Sequence, residues 1–439
     1  MLVPLSTDSK EAGYTKQSLV PKGLAVPFFL VTALFFLWGV PSNLNDVLIR
    51  QFMKSFAISR FQAGLVQSAF YMGYFLLAIP AALLMRKMGY KFGIVVGLLL
   101  FATGSFLFWP AAVIGRYGFF LLALFVIASG LAFLETSANP LITVLGPPEG
   151  AARRLNLAQS FNPMGSITGV LIGQHFIFSN IEHSPSELAT MEPAARHAYF
   201  VTESGAVQTP YLFIGMFVLV WALLIAVTRF PSVATADYTP SQRNDGAVAP
   251  LGRLLGNPGF MLAVVAQFFY VGAQVGVWSF LIRYAQDVAP GTPEKLAANY
   301  LTASLVLFMI GRFSGTALMR YFAPVKLLAA FAAINILLTL TAVLQPGLVG
   351  VYCLVASSFF MSIMFPTIFA LGLAGLDDED RKLGAPLIVM AIIGGAILTA
   401  SMGALSDAAG MPRAMVVPAL CFIVIVIFAL RTLSAAPEV

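Results

Sequence analysis

Apolar runs of about twenty residues recur from one end of this chain to the other, and that feature decides what it can fold into. A helix rises about 1.5 Å per residue, so roughly twenty residues cross the ~30 Å hydrocarbon layer of a bilayer. Twelve such runs are read, at about 25 to 49, 62 to 85, 92 to 113, 117 to 145, 155 to 179, 208 to 229, 258 to 285, 297 to 320, 326 to 344, 347 to 374, 383 to 405 and 412 to 433. With 59% hydrophobic and only 10% charged residues among 439, the chain lacks the charge to cover a surface facing water. The expected fold is all-α and integral to a membrane.

The formal charge of +6 follows topology rather than an acidic or nucleic-acid partner. With the N-terminus inside, sixteen Lys and Arg residues, among them Arg86, Lys87, Lys91, Arg153, Arg154, Arg253, Arg320 and Arg381, fall on the inner side. Seven fall on the outer side, which satisfies the positive-inside rule and places both termini in the cytoplasm. The first 22 residues are polar and show no signal peptide. Cys353 and Cys421 lie in apolar spans and are read as packing residues. His175, His183 and His197 form no metal-ligand spacing, and no phosphate-binding Gly-rich loop is present. An enzyme or an ATP-driven pump is therefore disfavoured; no cofactor is expected beyond a co-transported proton, and the chain is expected to act as a monomer.

Residues 230 to 253, "FPSVATADYTPSQRNDGAVAPLGR", are rich in Pro, Ser, Asp and Gly and read as a linker between two six-helix halves. The expected organisation is a tail over 1–24, a first bundle over 25–229, a linker over 230–257, a second bundle over 258–433 and a tail over 434–439. The halves echo one another: "AALLMRKMGYK" follows span two and "GTALMRYFAPVK" follows span eight. Two related bundles can rock about a site at mid-membrane, which is alternating access. Here the chain resembles the major facilitator superfamily. The family's Gly-x-x-x-Asp-Arg-x-Gly-Arg-Lys signature is degraded to Ala82, Arg86, Lys87, Gly89, Tyr90 and Lys91, with Arg86 at the aspartate position. The latch ascribed to that aspartate must be built differently, or be weaker.

A carboxylate at mid-membrane costs about 2.5 kcal/mol or more on insertion, so buried acids and amides face a cavity or the bundle interior. In span one Phe35, Trp38, Gly39, Ser42, Asn43 and Asp46 share a helical face. In span four Glu135, Asn139 and Thr143 do the same, with Pro140 expected to bend the helix or free a carbonyl. In span five Asn156, Gln159, Asn162 and Ser166 recur beside Pro163. Asn45, Asn139 and Asn156 serve equally well as glue between helices. Burial disfavours the ionised form of a carboxyl, so Asp46 and Glu135 could each hold a proton facing one side and release it facing the other. The second half offers Gln274, Trp278, Arg283, Asn299 and Arg312, the last as a candidate ion-pair partner of Glu135. Amides, a carboxyl and indoles suit a neutral polyhydroxylated solute such as a monosaccharide, the amides meeting hydroxyls and the indoles covering C–H faces. The outer stretch from about 180 to 207 reads as a solvated loop.

"FFLWGVPSNLNDVL", "FQAGLVQSAFYMGYF", "LETSANPLITVLGP", "RLNLAQSFNPMG", "YVGAQVGVWSFLIRYA" and "IGRFSGT" together closely resemble the L-fucose:proton symporters of that superfamily. The resemblance runs over most of residues 25 to 433. It implies proton-driven uptake of L-fucose or a related pyranose across a bacterial inner membrane, with Asp46 in proton coupling and Glu135 linking sugar to proton. Trp38, Asn43, Gln159, Asn162 and Gln274 fall in matching motifs as cavity candidates, beside Trp278 and Arg312. The chain departs from the family at Met364 and Phe365, where fucose symporters tend to carry Gln and Tyr. A glucose, galactose or other solute, coupled to proton or sodium, stays open on that ground, as does, more remotely, a non-transporting nutrient sensor.

Overall fold

The computed structural model describes residues 19–20, 23–56, 60–177, 187, 190–231 and 248–435. Within helices the side chains of a few residues, Asn43, Asn45 and Asp46 among them, lie outside that description, as do most of both expected tails and residues 232–247 of the expected linker. The described residues are overwhelmingly helical, and the long apolar helices make a multi-pass membrane protein.

Span one is Ala25–Phe56. Spans two and three form one stretch, Arg60–Ile114, broken at Gly89, whose φ of 80° and ψ of 172° suit a residue without Cβ. The connection read from sequence as a short basic turn thus tightens onto one glycine. Span four, Tyr117–Val144, runs on past Pro140 without ending there. Span five is broken: Ala151–Gln159, then Asn162–Ile172, then a π turn over Gly173–Ile177. Pro163 occupies the second position of the middle piece, where a missing N–H removes no intrahelical bond. Span six is Gln208–Val227. Ahead of it, where a solvated loop was expected, Pro193–Gly205 is a helix started by Pro193 and packed against span one.

The expected linker contains a second unforeseen element, the helix Val248–Leu255, with Arg253 in its last turn. Spans seven, eight and nine follow as Pro258–Val288, Glu294–Leu318 and Pro324–Leu344. Span ten is broken between Leu348–Met361 and Met364–Gly372. Span eleven is Asp378–Met390, a 3-10 turn over Ala391–Ile393, and Gly394–Ala409; span twelve is Val416–Ala435.

The broken spans pack by backbone contact. A Cβ on Gly39 would meet the Asn162 carbonyl, one on Gly165 the Phe36 carbonyl, and one on Gly169 the Val40 carbonyl. Without a hydrophobic drive between helices in lipid, such close approach supplies the packing energy, and small residues at four-residue spacing permit it. Spans seven and eleven repeat this arrangement, with Gly394 against the Phe268 carbonyl.

Packing between the halves gathers at one end. There Asp378–Met390 lies against spans two and four, and Met364–Gly372 against Ala151–Gln159. Arg86 pairs with Glu379, the acid sitting in the first turn of span eleven with Asp378 and Asp380. Arg253 grips Asp380 with Nε and Nη2, at 3.3 and 2.7 Å, and lies 3.9 Å from Glu379. In place of the family's aspartate, a cation in the first half meets an acid in the second, with the helix Val248–Leu255 attached through Arg253. Deeper in, Asn156 Nδ2 donates to Thr367 Oγ1 across the halves at 3.0 Å. This is the closed end of the molecule.

Candidate functional site

Above the closed end lies a cavity of about 530 Å³ bounded by both halves. Its wall includes Trp38, Glu135, Gln159 and Asn162 from the first half and Gln274, Trp278 and Arg312 from the second. Seven of the nine residues singled out from sequence therefore converge. The other two, Asn43 and Asp46, sit on span one with side chains outside the described residues.

Each side chain is held. Gln159 Nε2 donates to Asn139 Oδ1 at 3.1 Å, and Asn162 Nδ2 donates to the Phe35 carbonyl at 3.2 Å. Asn139 and Asn156 thus act as glue, the second of them between halves. Trp38 leans on Phe35 with ring centroids 4.2 Å apart. Trp278 donates to Ser358 Oγ at 3.0 Å and meets Phe308 edge-on. Each indole is thereby fixed with a flank left toward the cavity. Glu135 is 8% exposed, with Tyr74 beside it in the cavity wall.

Arg312 differs from expectation. Among the described residues no ion pair joins it to Glu135. Its Nε donates to the Ser362 carbonyl at 2.7 Å and its Nη1 to the Gln159 carbonyl at 3.0 Å, while its guanidinium lies 4.5 Å from the Phe308 ring centroid. Both acceptors stand at helix breaks, Gln159 at the end of Ala151–Gln159 and Ser362 between the two pieces of span ten. Carbonyls freed by a break need partners in the membrane interior, and one guanidinium serves a break from each half. Arg312 is thus a strap across the cavity floor. Arg283 and Asn299, also weighed from sequence, are exposed and do not line the cavity.

Sequence reading missed Tyr74, Thr302 and Phe308 as lining residues. Tyr74 and Phe308 stand in long apolar runs, where no polar periodicity sets them apart. Of the two positions that depart from the fucose pattern, Phe365 lines the cavity, while Met364 is fully buried and does not.

The described helices and their pairing have a counterpart in known proteins. The model of the Major Facilitator Superfamily matches residues 28–385. The chain belongs to that family. It has the all-α fold of the family, twelve transmembrane helices in two pseudo-symmetric six-helix bundles. It is 49% identical over 422 residues to the L-fucose-proton symporter of Escherichia coli, covering 96% of this chain and 94% of that one. It is 37% identical to a glucose/galactose transporter of Brucella abortus, covering 91% and 92%. A crystal structure of a family member in the outward conformation, 50% identical, superposes with a TM-score of 0.86 over 93% of this chain and 98% of that one.

Proposed function

We propose that this chain is a proton-coupled symporter of L-fucose or a related pyranose, seated in a bacterial inner membrane with its closed end and both termini toward the cytoplasm. The observation that carries the reading is the cavity wall itself. One carboxyl, three amides and two indoles converge from both halves, and the single cation among the lining residues, Arg312, has Nε and Nη1 committed to Ser362 and Gln159. Such a wall meets hydroxyls rather than an anion: amides both donate and accept, and an indole covers the C–H face of a sugar ring. The relatives named as L-fucose-proton symporters support the choice of solute.

In this mechanism Glu135 and Asp46 hold and release the proton. Glu135 lies in the cavity wall beside Tyr74, so a sugar seated against it senses its protonation. Asp46 occupies the same span as Trp38 and exchanges protons with the outside. Gln159 and Asn162 grip the solute from the first half and Gln274 from the second, so an occupied cavity draws the halves together at the open end. The closed end then separates by breaking the Asn156–Thr367 and Arg312–Gln159 bonds, which is alternating access.

A second reading, glucose or galactose, is favoured by the relatives named as glucose/galactose transporters and by Phe365, which presents no polar atom to the cavity. One experiment tests both. L-fucose, D-glucose and D-galactose are added in turn to unbuffered, de-energised cells expressing the chain. External alkalinisation with L-fucose, lost in Asp46→Asn, is expected. A response to another sugar alone moves the substrate, and sugar-triggered proton uptake persisting in Asp46→Asn refutes the coupling role.

A further inference from the structure

The internal echo brings out an asymmetry at the closed end. Leu84-Met85-Arg86 follows span two and Leu318-Met319-Arg320 follows span eight. Arg86 meets an acid of the other half, Glu379, in the first turn of span eleven. Arg320 stands at the matching place in the second half, just beyond span eight, a helix that packs on the first helix of span five. The first turn of that helix reads Ala151, Ala152, Arg153, Arg154 and holds no acid.

Helix geometry brings Arg320 and Arg153 together. Spans five and eight run antiparallel along this seam, and Arg312 meets Gln159 at its upper end. From Arg312 to Arg320 is eight residues, roughly 12 Å; from Gln159 back to Arg153 is six, roughly 9 Å. That places the two cations at a similar depth on adjacent helices, within Coulombic range of one another. Arg154, the neighbouring cation, is committed elsewhere: it is fully buried and donates to the carbonyls of Ile142, Thr143, Gly146 and Pro147. Among the described residues Arg153 has no such partner, and its Nε is buried without an acceptor. Arg320 is exposed, and its side chain makes no hydrogen bond or ion pair among the described residues.

Glu149, in the turn just ahead of the helix Ala151–Gln159, acts on Arg154, and among the described residues neither Arg153 nor Arg320 is in an ion pair with an acid, so their donors are left in a fork geometry that suits a phosphate oxyanion. Immediately beyond Arg320, Tyr321 and Phe322 are 76% and 52% exposed, as aromatic residues are at the headgroup level of a membrane. We propose that Arg153 and Arg320 form a site for a phosphate group, supplied by an anionic lipid of the adjoining leaflet, which bridges the two halves where the other seam uses Glu379. A bound headgroup clamps the closed end; without it two like charges across the seam favour separation. The site does not depend on which sugar is carried.

The test reads conformation rather than transport. Ala370→Cys, in a background with Cys353→Ser and Cys421→Ala, reports opening of the closed end through its rate of alkylation by a maleimide. The protein is placed in bilayers of phosphatidylcholine alone or with phosphatidylglycerol. Phosphatidylglycerol is expected to slow alkylation severalfold, Arg153→Ala and Arg320→Ala each to abolish that dependence, and Arg320→Glu, which supplies the missing acid, to give slow alkylation in both bilayers. If inorganic phosphate added to phosphatidylcholine bilayers slows alkylation as much, with the same dependence on both arginines, the oxyanion site holds and its lipid source is overturned. If the phosphatidylglycerol effect persists in all three variants, or is absent from the parent protein, the site is overturned.

Discussion

Replacing Arg312 by Met is the sharpest test of how the cavity floor is held. Its Nη1 crosses between halves to Gln159, at 3.0 Å to the carbonyl and at a weak 3.5 Å to Oε1, while the 2.7 Å bond from Nε to the Ser362 carbonyl lies within the second half. A hydrogen bond to a charged group contributes about 1.5–3 kcal/mol net. The closed end should therefore lose about that much stability relative to the opened end, a shift of roughly ten- to hundredfold in their ratio. Loss of the Ser362 bond lowers overall stability without changing that ratio, because the second half keeps its internal packing in both states. The assay is alkylation of Ala370→Cys, which shares a helical face with Thr367 and is 6% exposed here. Arg312→Met should raise the rate by that factor. Arg312→Lys, one point charge in place of a planar fork, should fall between the parent and Met. An unchanged rate in Arg312→Met, in protein shown to be folded, would refute the reasoning.

Other outcomes follow from the same geometry. Arg86→Glu should speed alkylation at the closed end and adding Glu379→Arg should restore it, with a coupling in a double-mutant cycle of about 1 kcal/mol or less for a pair this exposed. Gly165→Ala drives a Cβ into the Phe36 carbonyl and should cost about 1–3 kcal/mol, read as a lower melting temperature with no change in sugar preference. Glu135→Gln should abolish sugar-triggered proton uptake while the folded protein still superposes on the parent by circular dichroism and melting. Phe365→Tyr adds to the cavity wall the hydroxyl of the fucose pattern and should shift competition toward L-fucose over D-glucose and D-galactose by up to about tenfold, the worth of one hydrogen bond.

The spans were legible because hydrocarbon thickness sets a length that a run of apolar residues must match, and the polar stripes because a helix repeats every three to four residues. Trp38, Glu135, Gln159 and Asn162 came out on those grounds. The partner of Arg312 did not, since backbone carbonyls have no signature in sequence and Gln159 and Ser362 became acceptors only once their helices broke. The cross-half role of Asn156 was equally hidden: its stripe marks a face, and only tertiary packing chooses Thr367 to meet it. The helices Pro193–Gly205 and Val248–Leu255 are short and lie in polar stretches, where hydropathy gives no contrast.

The glycine seam between spans one and five has an evolutionary consequence. Because Gly39, Gly165 and Gly169 leave no slack between two backbones, Trp38 and Asn162 are mounted on a single rigid plate. New solutes are then reached by exchanging the side chains that decorate the plate, as at Phe365 on the facing wall, far more readily than by tilting the helices that carry them. Lineages of such transporters should drift in what they carry while the architecture of the wall stays nearly still.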